Sequence, residues 1–574
     1  MYIKDYSRRL GAVFFIFIFL LLLVSARLFY IQFFKYSYLK NLAKKQHEFL
    51  VELEPRRGTI YDRKLRPQAL NIAVDSLFAD PKSIKNKESA VQQLSAVLRL
   101  DPAYLKNRIY RDKSFIWIAR KLSSEEAGRV KALNMKGLGF IKESKRCYPN
   151  GYLASHTMGF VGLDNSGLEG LESCYDQYLK GEPGWAVFLR DARQKKLDLP
   201  EGLVLPKDGN NLVLTIDEVI QYIAERELDN AFRTFHAKQA SIIVMDPRTG
   251  QILALANRPA YDLNEAGKAE PAVRKNHAIC DLFEPGSVFK IVTASAAIEE
   301  GRVNESDRVF CENGNYRQSN RILHDHTPHG WLTFREVIEQ SSNIGTSKVA
   351  QKIGPDALYK YIKLFGFGSS RGIDLPGEIN GMAKPPKLWS STSIGAIPMG
   401  QEVGVTVLQL SCAISAIANG GLLMKPYLVK QVQDMNGEVI KEFFPQVSNK
   451  VISPETAQRV RAILTGVVED GTGKLAAIQG VKVGGKTGTA QKLEPDGRYS
   501  HNKFVGTFIG FAPADNPVIT VCVVLDEPHP SYYGGVVCAP VFKKVVTDVL
   551  NYLEVMPLDK VVYSAEMAAN AVRR

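Results

Sequence analysis

ASIIVMDPRTGQILALAN, residues 240–257, reads as a β-hairpin: two runs rich in Ile, Val, Leu and Ala, suited to central strands, flank the turn PRTG at 247–250. Just ahead of it, Thr215 and Glu218 form a T-x-x-E pattern before apolar Ile220, Ile223, Leu228, Ala231, Phe232 and Phe235. That spacing predicts a capping-box helix lying on the sheet that the hairpin begins. Far downstream, FVGTFIGFAP (504–513) and VITVCVVLDEP (518–528) supply more strands, with long helical stretches such as VLQLSCAISAIANGG (407–421) in between. Strands at both ends of a region with helices inside predict an α/β (α+β) domain whose terminal segments share one antiparallel sheet.

Three short strings lie along this region in order: SVFK at Ser287 to Lys290, SSN at Ser341 to Asn343, and KTGT at Lys486 to Thr489. The bare Ser-x-x-Lys pattern decides nothing, since SYLK at Ser37 and SHNK at Ser500 carry it too. Context separates them. In FEPGSVFKIVTASAAIEEG, Pro285 and Gly286 form a turn, Ser287 opens a helix, and Gly301 is placed to close it. Lys290, three positions on, shares a helical face with Ser287 and can reach its hydroxyl. A buried lysine beside other cations has a lowered pKa, and as a neutral amine it can take the proton of a serine nucleophile. The helix start also offers the Ser287 N–H to a developing oxyanion. SYLK instead adjoins the apolar N-terminal segment, and SHNK follows EPDGRY in an expected loop.

In EQSSNIGTSKVAQKIG, Ser and Asn are expected as helix caps. Read chemically, Ser341 relays a proton between Lys290 and a leaving amine, and Asn343 hydrogen-bonds a substrate amide. VKVGGKTGTAQK reads as a strand whose glycines, Gly488 among them, let a ligand backbone approach. Lys486 would place positive charge near a substrate carboxylate, Thr487 and Thr489 would donate hydrogen bonds to it, and the Thr489 N–H would complete the oxyanion hole. A phosphate loop is the rival for this string, but GGKT lacks the earlier Gly of the Walker pattern. The order and context of the three strings point to a serine acyl-transfer site.

Outside this region, Leu10 to Val24 is uninterruptedly apolar and LFYIQFF follows Arg27, so Leu10 to Phe34 is long enough to span a bilayer with Arg27 snorkelling near one face. VSA at 24–26 offers a signal-peptide alternative, although the apolar pattern runs past it. Lys4, Arg8 and Arg9 favour a cytoplasmic N-terminus, yet Lys35, Lys40, Lys44 and Lys45 follow the span, so charge alone leaves orientation open. Hydrophobic residues at 45% and charged residues at 23% exclude a disordered or collagen-like chain. A net charge of +13 fits contact with anionic lipid or wall polymer; nucleic acid is disfavoured, because no zinc-finger spacing or RNP-like string accompanies it. The seven cysteines show no CxxC pair, their odd number leaves at least one unpaired, and they read as buried free thiols. His324, His326 and His329 lack acidic or Cys partners at ligand spacing, so no metal is expected, and Asp526 with Glu527 reads as a strand-end turn.

The chain resembles the class B penicillin-binding proteins, peptidoglycan D,D-transpeptidases. Beyond the three strings, the resemblance rests on PRRGTIYDR, RCYPNG, GLEGLE, MDPRTGQILALANRP, LPGE at 375–378 and IANGG. FVGTFIGFAP and YYGGVVCAPVF (532–542) look like the division-specific FtsI branch more than the elongation branch; Cys538 stands where Ala is usual, a departure expected to matter only for close-packing. The resemblance implies a penicillin-binding transpeptidase, serine β-lactamase-like domain with an antiparallel sheet and helical subdomain at 236–555. It is preceded by a cytoplasmic N-terminus at 1–9, a transmembrane anchor at 10–34 and a dimerisation or pedestal domain at 35–235, and followed by a tail at 556–574. Ser287 would attack a D-Ala-D-Ala carbonyl and pass the acyl group to a neighbouring strand's amine, without a cofactor. Implied partners are lipid-linked peptidoglycan precursor and nascent glycan strands, penicillin and other β-lactams, and an FtsW-like SEDS glycosyltransferase with other division proteins. The alternatives are an elongation-branch enzyme, a D,D-carboxypeptidase or β-lactamase, and a non-catalytic β-lactam sensor or scaffold.

Overall fold

The computed structural model describes residues 3–555 apart from 114, 191–195, 320 and 495, so the expected tail at 556–574 lies outside the described residues. Two compact units emerge: Met1–Arg56 with Gly181–Gly209, and Arg57–Lys180 with Asn210–Arg574. In the smaller unit one helix, Ile3–Phe33, runs unbroken through the VSA site, and over Tyr6–Phe33 it is long and apolar enough to cross a membrane. A helix at Tyr36–His47 carries the SYLK serine. Strands Glu48–Leu53, Gly184–Arg190 and Lys196–Val204 make an antiparallel sheet in that order.

In the larger unit, strand Asn211–Leu214 lies between Ile60–Tyr61, to which it is parallel, and Val429–Gln433, to which it is antiparallel. Val439–Glu442 extends the sheet on one side. On the other, Pro67–Ala79 pairs with both Ile116–Ala119 and Leu138–Cys147. One sheet thus joins segments from both sides of residue 235. The motifs PRRGT, RCYPNG and GLEGLE converge beside it on a buried ion cluster. Glu172 accepts from Arg57 Nε and Arg146 Nε, each at 2.7 Å, with all three side chains at most 1% exposed. Arg57 also donates to the Asn165 carbonyl and to Asp176, and Arg146 to the Gly58 carbonyl. Buried charges persist only when paired and hydrogen-bonded in this way.

The second sheet builds the site. Its strands are β1 (Gln239–Met245), β2 (Ile252–Arg258), β3 (Gly484–Leu493), β4 (Tyr499–Ala512) and β5 (Ile519–Asp526), all antiparallel in the order β2-β1-β5-β4-β3. β1 and β2 are the expected hairpin, and chain-terminal strands share the sheet as expected. Alternate residues point to opposite faces. Ile243 and Met245 join one core, with helix α3 (Val407–Ala418), while Ile242 and Val244 join a second, with helices Glu218–Thr234 and Ala539–Tyr552. Burial on both sides explains the unbroken apolar runs, each fully buried Ile or Val contributing ~1.5–3 kcal/mol. Helices α1 (Lys290–Glu299) and α2 (Asn343–Ile353) belong to the helical part above the sheet's first face.

Two expectations change. The helix at Glu218–Thr234 is capped by Asp217, which accepts from the Val219 N–H at 3.0 Å. Thr215 is fully buried and its hydroxyl donates to the Ile252 carbonyl at 2.7 Å, so it has none to spare for a cap. SHNK is not in a loop: Ser500 lies in β4, with its hydroxyl bonded to Asn502 at 2.9 Å. All seven cysteines are free thiols; Cys311, Cys412, Cys522 and Cys538 are buried and Cys174 is exposed.

Candidate active site

Ser287 stands in a 3₁₀ turn, Gly286–Phe289, that runs directly into α1. Gly301 follows the helix with φ +61°, the left-handed ending expected of it. Gly286 has φ +57° and its N–H donates to the Gly400 carbonyl. A Cβ on Gly400 would sit 2.1 Å from the Gly286 carbonyl oxygen, so this pair of backbones can meet only without a side chain. The half-exposed Ser287 hydroxyl makes no hydrogen bond among the described residues, leaving the oxygen available to a ligand.

Lys290 does not bond Ser287, contrary to the expected contact. Its fully buried amine donates to the Ser341 carbonyl at 2.5 Å, Ser341 Oγ at 3.2 Å and Asn343 Oδ1 at 2.9 Å, three acceptors for three protons. Ser341 has φ +60°, a left-handed conformation costly for a β-substituted residue, and that twist turns both its carbonyl and its hydroxyl towards the lysine. The cap of α2 is the next residue, Ser342, whose Oγ accepts from the Gly345 N–H. Asn343 Nδ2 donates to the His324 carbonyl, so both ends of its amide are engaged inside the protein.

From β3, the equally buried Lys486 donates to Ser341 Oγ at 2.9 Å and to the Thr487 carbonyl at 3.2 Å. The Ser341 hydroxyl therefore lies between two amines. Burial lowers the Lys290 pKa to about 7, partly offset by the carboxylate of Asp325. Burial pushes Lys486 well below its ordinary value, and the charge of Lys290 adds to that. Two ammonium groups cannot comfortably share this pocket, so a neutral amine capable of accepting a proton is available near neutral pH.

β3 is the edge of its sheet, and its outer side faces the Ser287 turn. The glycines of this strand serve the protein's own contacts. A Cβ on Gly488 would meet the Pro285 carbonyl oxygen at 2.9 Å, and Cβ atoms on Gly484 and Gly485 would run into the rings of Phe511 and Phe508. Thr489 Oγ1 accepts from the Gly534 N–H at 3.1 Å, which keeps its own proton free to donate. Thr487 Oγ1 pairs with Thr472 Oγ1 at 2.7 Å.

Several contributors escaped sequence reasoning. Asp325 lies inside LHDHTPHG, where the histidines drew attention, yet its carboxylate accepts from the N–H groups of Asn343 and Ile344 and from the Ser342 hydroxyl, fixing the start of α2. His324 bonds Asn315, and His326 contacts Tyr533 OH at 3.0 Å. Among the described residues no cluster could hold a metal. Asp526 and Glu527 both bind Lys492, a structural pairing at the end of β5.

Two family models match this chain: the penicillin binding protein transpeptidase domain over residues 240–547, and the penicillin-binding protein dimerisation domain over 52–214. The chain belongs to the class B penicillin-binding proteins. It is a serine-type D,D-transpeptidase of peptidoglycan synthesis. This penicillin-binding protein is 38% identical to stage V sporulation protein D of Bacillus subtilis, over 93% of this chain and 84% of that one. It is 31% identical to the peptidoglycan D,D-transpeptidase FtsI of Escherichia coli, over 88% and 85%. Among solved structures it resembles penicillin binding protein 3 of Mycobacterium tuberculosis complexed with aztreonam, with a TM-score of 0.70, 28% identity, and coverage of 88% of this chain and 98% of that one.

Proposed function

We propose that Ser287 is the acylated nucleophile of a membrane-anchored transpeptidase that crosslinks peptidoglycan stem peptides, and that β-lactams acylate the same oxygen. The observation that carries this is the Ser341 hydroxyl held between Lys290 and Lys486 beside the Ser287 turn. Lys290, in the neutral form that its lowered pKa of about 7 makes accessible, takes the Ser287 proton as Oγ attacks the penultimate D-Ala carbonyl. Backbone N–H groups of Ser287 and Thr489 hold the oxyanion. The Lys290 proton then passes through Ser341 to the departing D-Ala amine, the C–N bond breaks, and an ester on Ser287 remains. An acceptor amine attacks that ester, loses a proton back along the same path, and Ser287 leaves as a hydroxyl. The substrate's terminal carboxylate lies against Lys486, Thr487 and Thr489, with Gly488 keeping strand and turn close. That carboxylate also restores the charge of Lys486. Asn343 acts mainly by fixing the Lys290 amine.

The helix Ile3–Phe33 serves as a retained single span, with 1–9 in the cytoplasm and the catalytic unit outside; its continuation past VSA supports retention over cleavage. The endings FVGTFIGFAP and YYGGVVCAPVF support a septal role beside an FtsW-like glycosyltransferase. Labelled penicillin followed by peptide mapping tests the mechanism: the adduct should sit on Ser287 and vanish in Ser287→Ala. An adduct that survives the substitution refutes it. Depletion tests the role, filaments supporting division and round cells opposing it.

A further inference from the structure

One well-formed cavity contains none of Ser287, Lys290, Ser341 or Lys486. It holds about 670 Å³ and lies at the end of the catalytic sheet, walled by Gln491 to Leu493 of β3 and by Phe283 and Glu284, which lead into the Ser287 turn. Its charged lining is almost entirely neutralised. Lys275 pairs with Asp281, which His277 Nδ1 also contacts at 2.6 Å, Lys492 pairs with Asp526 and Glu527, and Lys238 with Glu527. Glu284 differs, making no ion pair among the described residues. Both hydrogen bonds it accepts, from the Glu402 N–H at 2.9 Å and Tyr499 OH at 3.2 Å, fall on Oε1, and Oε2 receives none. Arg321 acts on it only at longer range and spends its guanidinium on Gln401 at 2.8 Å.

Strand polarity says what reaches this cavity. If the terminal carboxylate lies by Lys486 and Thr487 and the reacting carbonyl by Thr489, the donor peptide runs antiparallel to β3 along its open edge. Its amino-side residues then proceed towards Gln491 and Leu493, at roughly 3.3 Å per residue. The residue just before D-Ala-D-Ala in a stem peptide is the diamino acid, and it arrives beside Gln491. We infer that this cavity is the donor subsite for that diamino residue, with the Glu284 carboxylate pairing with its side-chain amine. The inference rests on the acyl-transfer reading above and names a substrate feature that reading leaves open.

The test uses the full-length protein in detergent and two thioester probes, Nα-acetyl-Lys-D-Ala-D-thiolactate with a free ε-amine and its Nε-acetylated twin. Wild type should turn over the free-amine probe at least ~10-fold better in kcat/KM, the order expected for one charge-assisted pair. Glu284→Gln keeps an oxygen for Glu402 and Tyr499 but loses the charge. It should erase that preference, lowering only the free-amine probe, while acylation by penicillin and turnover of the acetylated probe stay within twofold. A preference that persists in Glu284→Gln, or a wild type that never prefers the amine, overturns the subsite. Equal loss of all three activities overturns it as well, by assigning Glu284 a structural role. Absence of a penicilloyl adduct on wild-type Ser287 is a different result and removes the acyl-transfer reading itself.

Discussion

Replacing Asp325 with Asn should make this transpeptidase faster in acid. In the structure Asp325 is the carboxylate whose field holds the Lys290 pKa up against burial, at a net value of about 7. Its oxygens accept from two backbone N–H groups and the Ser342 hydroxyl. Asn keeps one carbonyl oxygen for the N–H groups and offers an amide to the hydroxyl, which can accept, so the start of α2 should survive at a cost of about 1 kcal/mol. Losing a nearby opposite charge lowers a lysine pKa by about one unit or more. If acylation requires neutral Lys290, the wild-type rate at pH 6 runs on roughly 10% of the enzyme and the variant's on roughly half, a gain of about fivefold. At pH 8 both are almost fully neutral, and the rates should agree within about 20%. The assay is the second-order rate of labelling by a fluorescent penicillin from pH 5.5 to 9. A limb that stays in place, or moves to higher pH, refutes Lys290 as the base.

Gly488→Ala should lower penicillin acylation at least ~10-fold with little change in thermal midpoint, because its methyl would press the Pro285 carbonyl and push the Ser287 turn off β3. Glu172→Gln should cost about 3 kcal/mol in denaturant unfolding, since Arg57 and Arg146 would remain buried without their carboxylate. Protein that stays folded should still be acylated at the wild-type rate.

Much of the catalytic sheet was legible because both its faces are buried, so β1, β2, β4 and β5 announce themselves as continuous apolar runs. The three strings were legible as a group because local context set SVFK apart from two decoys. What escaped was long-range. Nothing local to LHDHTPHG says that Asp325 caps a helix at Asn343, and nothing local to KTGT says that Gly488 yields to Pro285. The left-handed twist of Ser341 was equally hidden, since serine rarely adopts it. That twist sent Lys290 to Ser341 rather than to Ser287. Thr215 misled because a T-x-x-E pattern looks the same whether its hydroxyl caps a helix or is consumed between strands.

The strand Asn211–Leu214 has a consequence for how the chain matures. One of its neighbours, Ile60–Tyr61, precedes it, while the other, Val429–Gln433, emerges long after it. Until that second neighbour arrives, an apolar strand edge waits unpaired, a template for any other extended segment. Cutting the chain near residue 235 would make the waiting permanent on both fragments. Early and late parts of this polypeptide are therefore one folding event, completed only when Val429–Gln433 has paired with Asn211–Leu214.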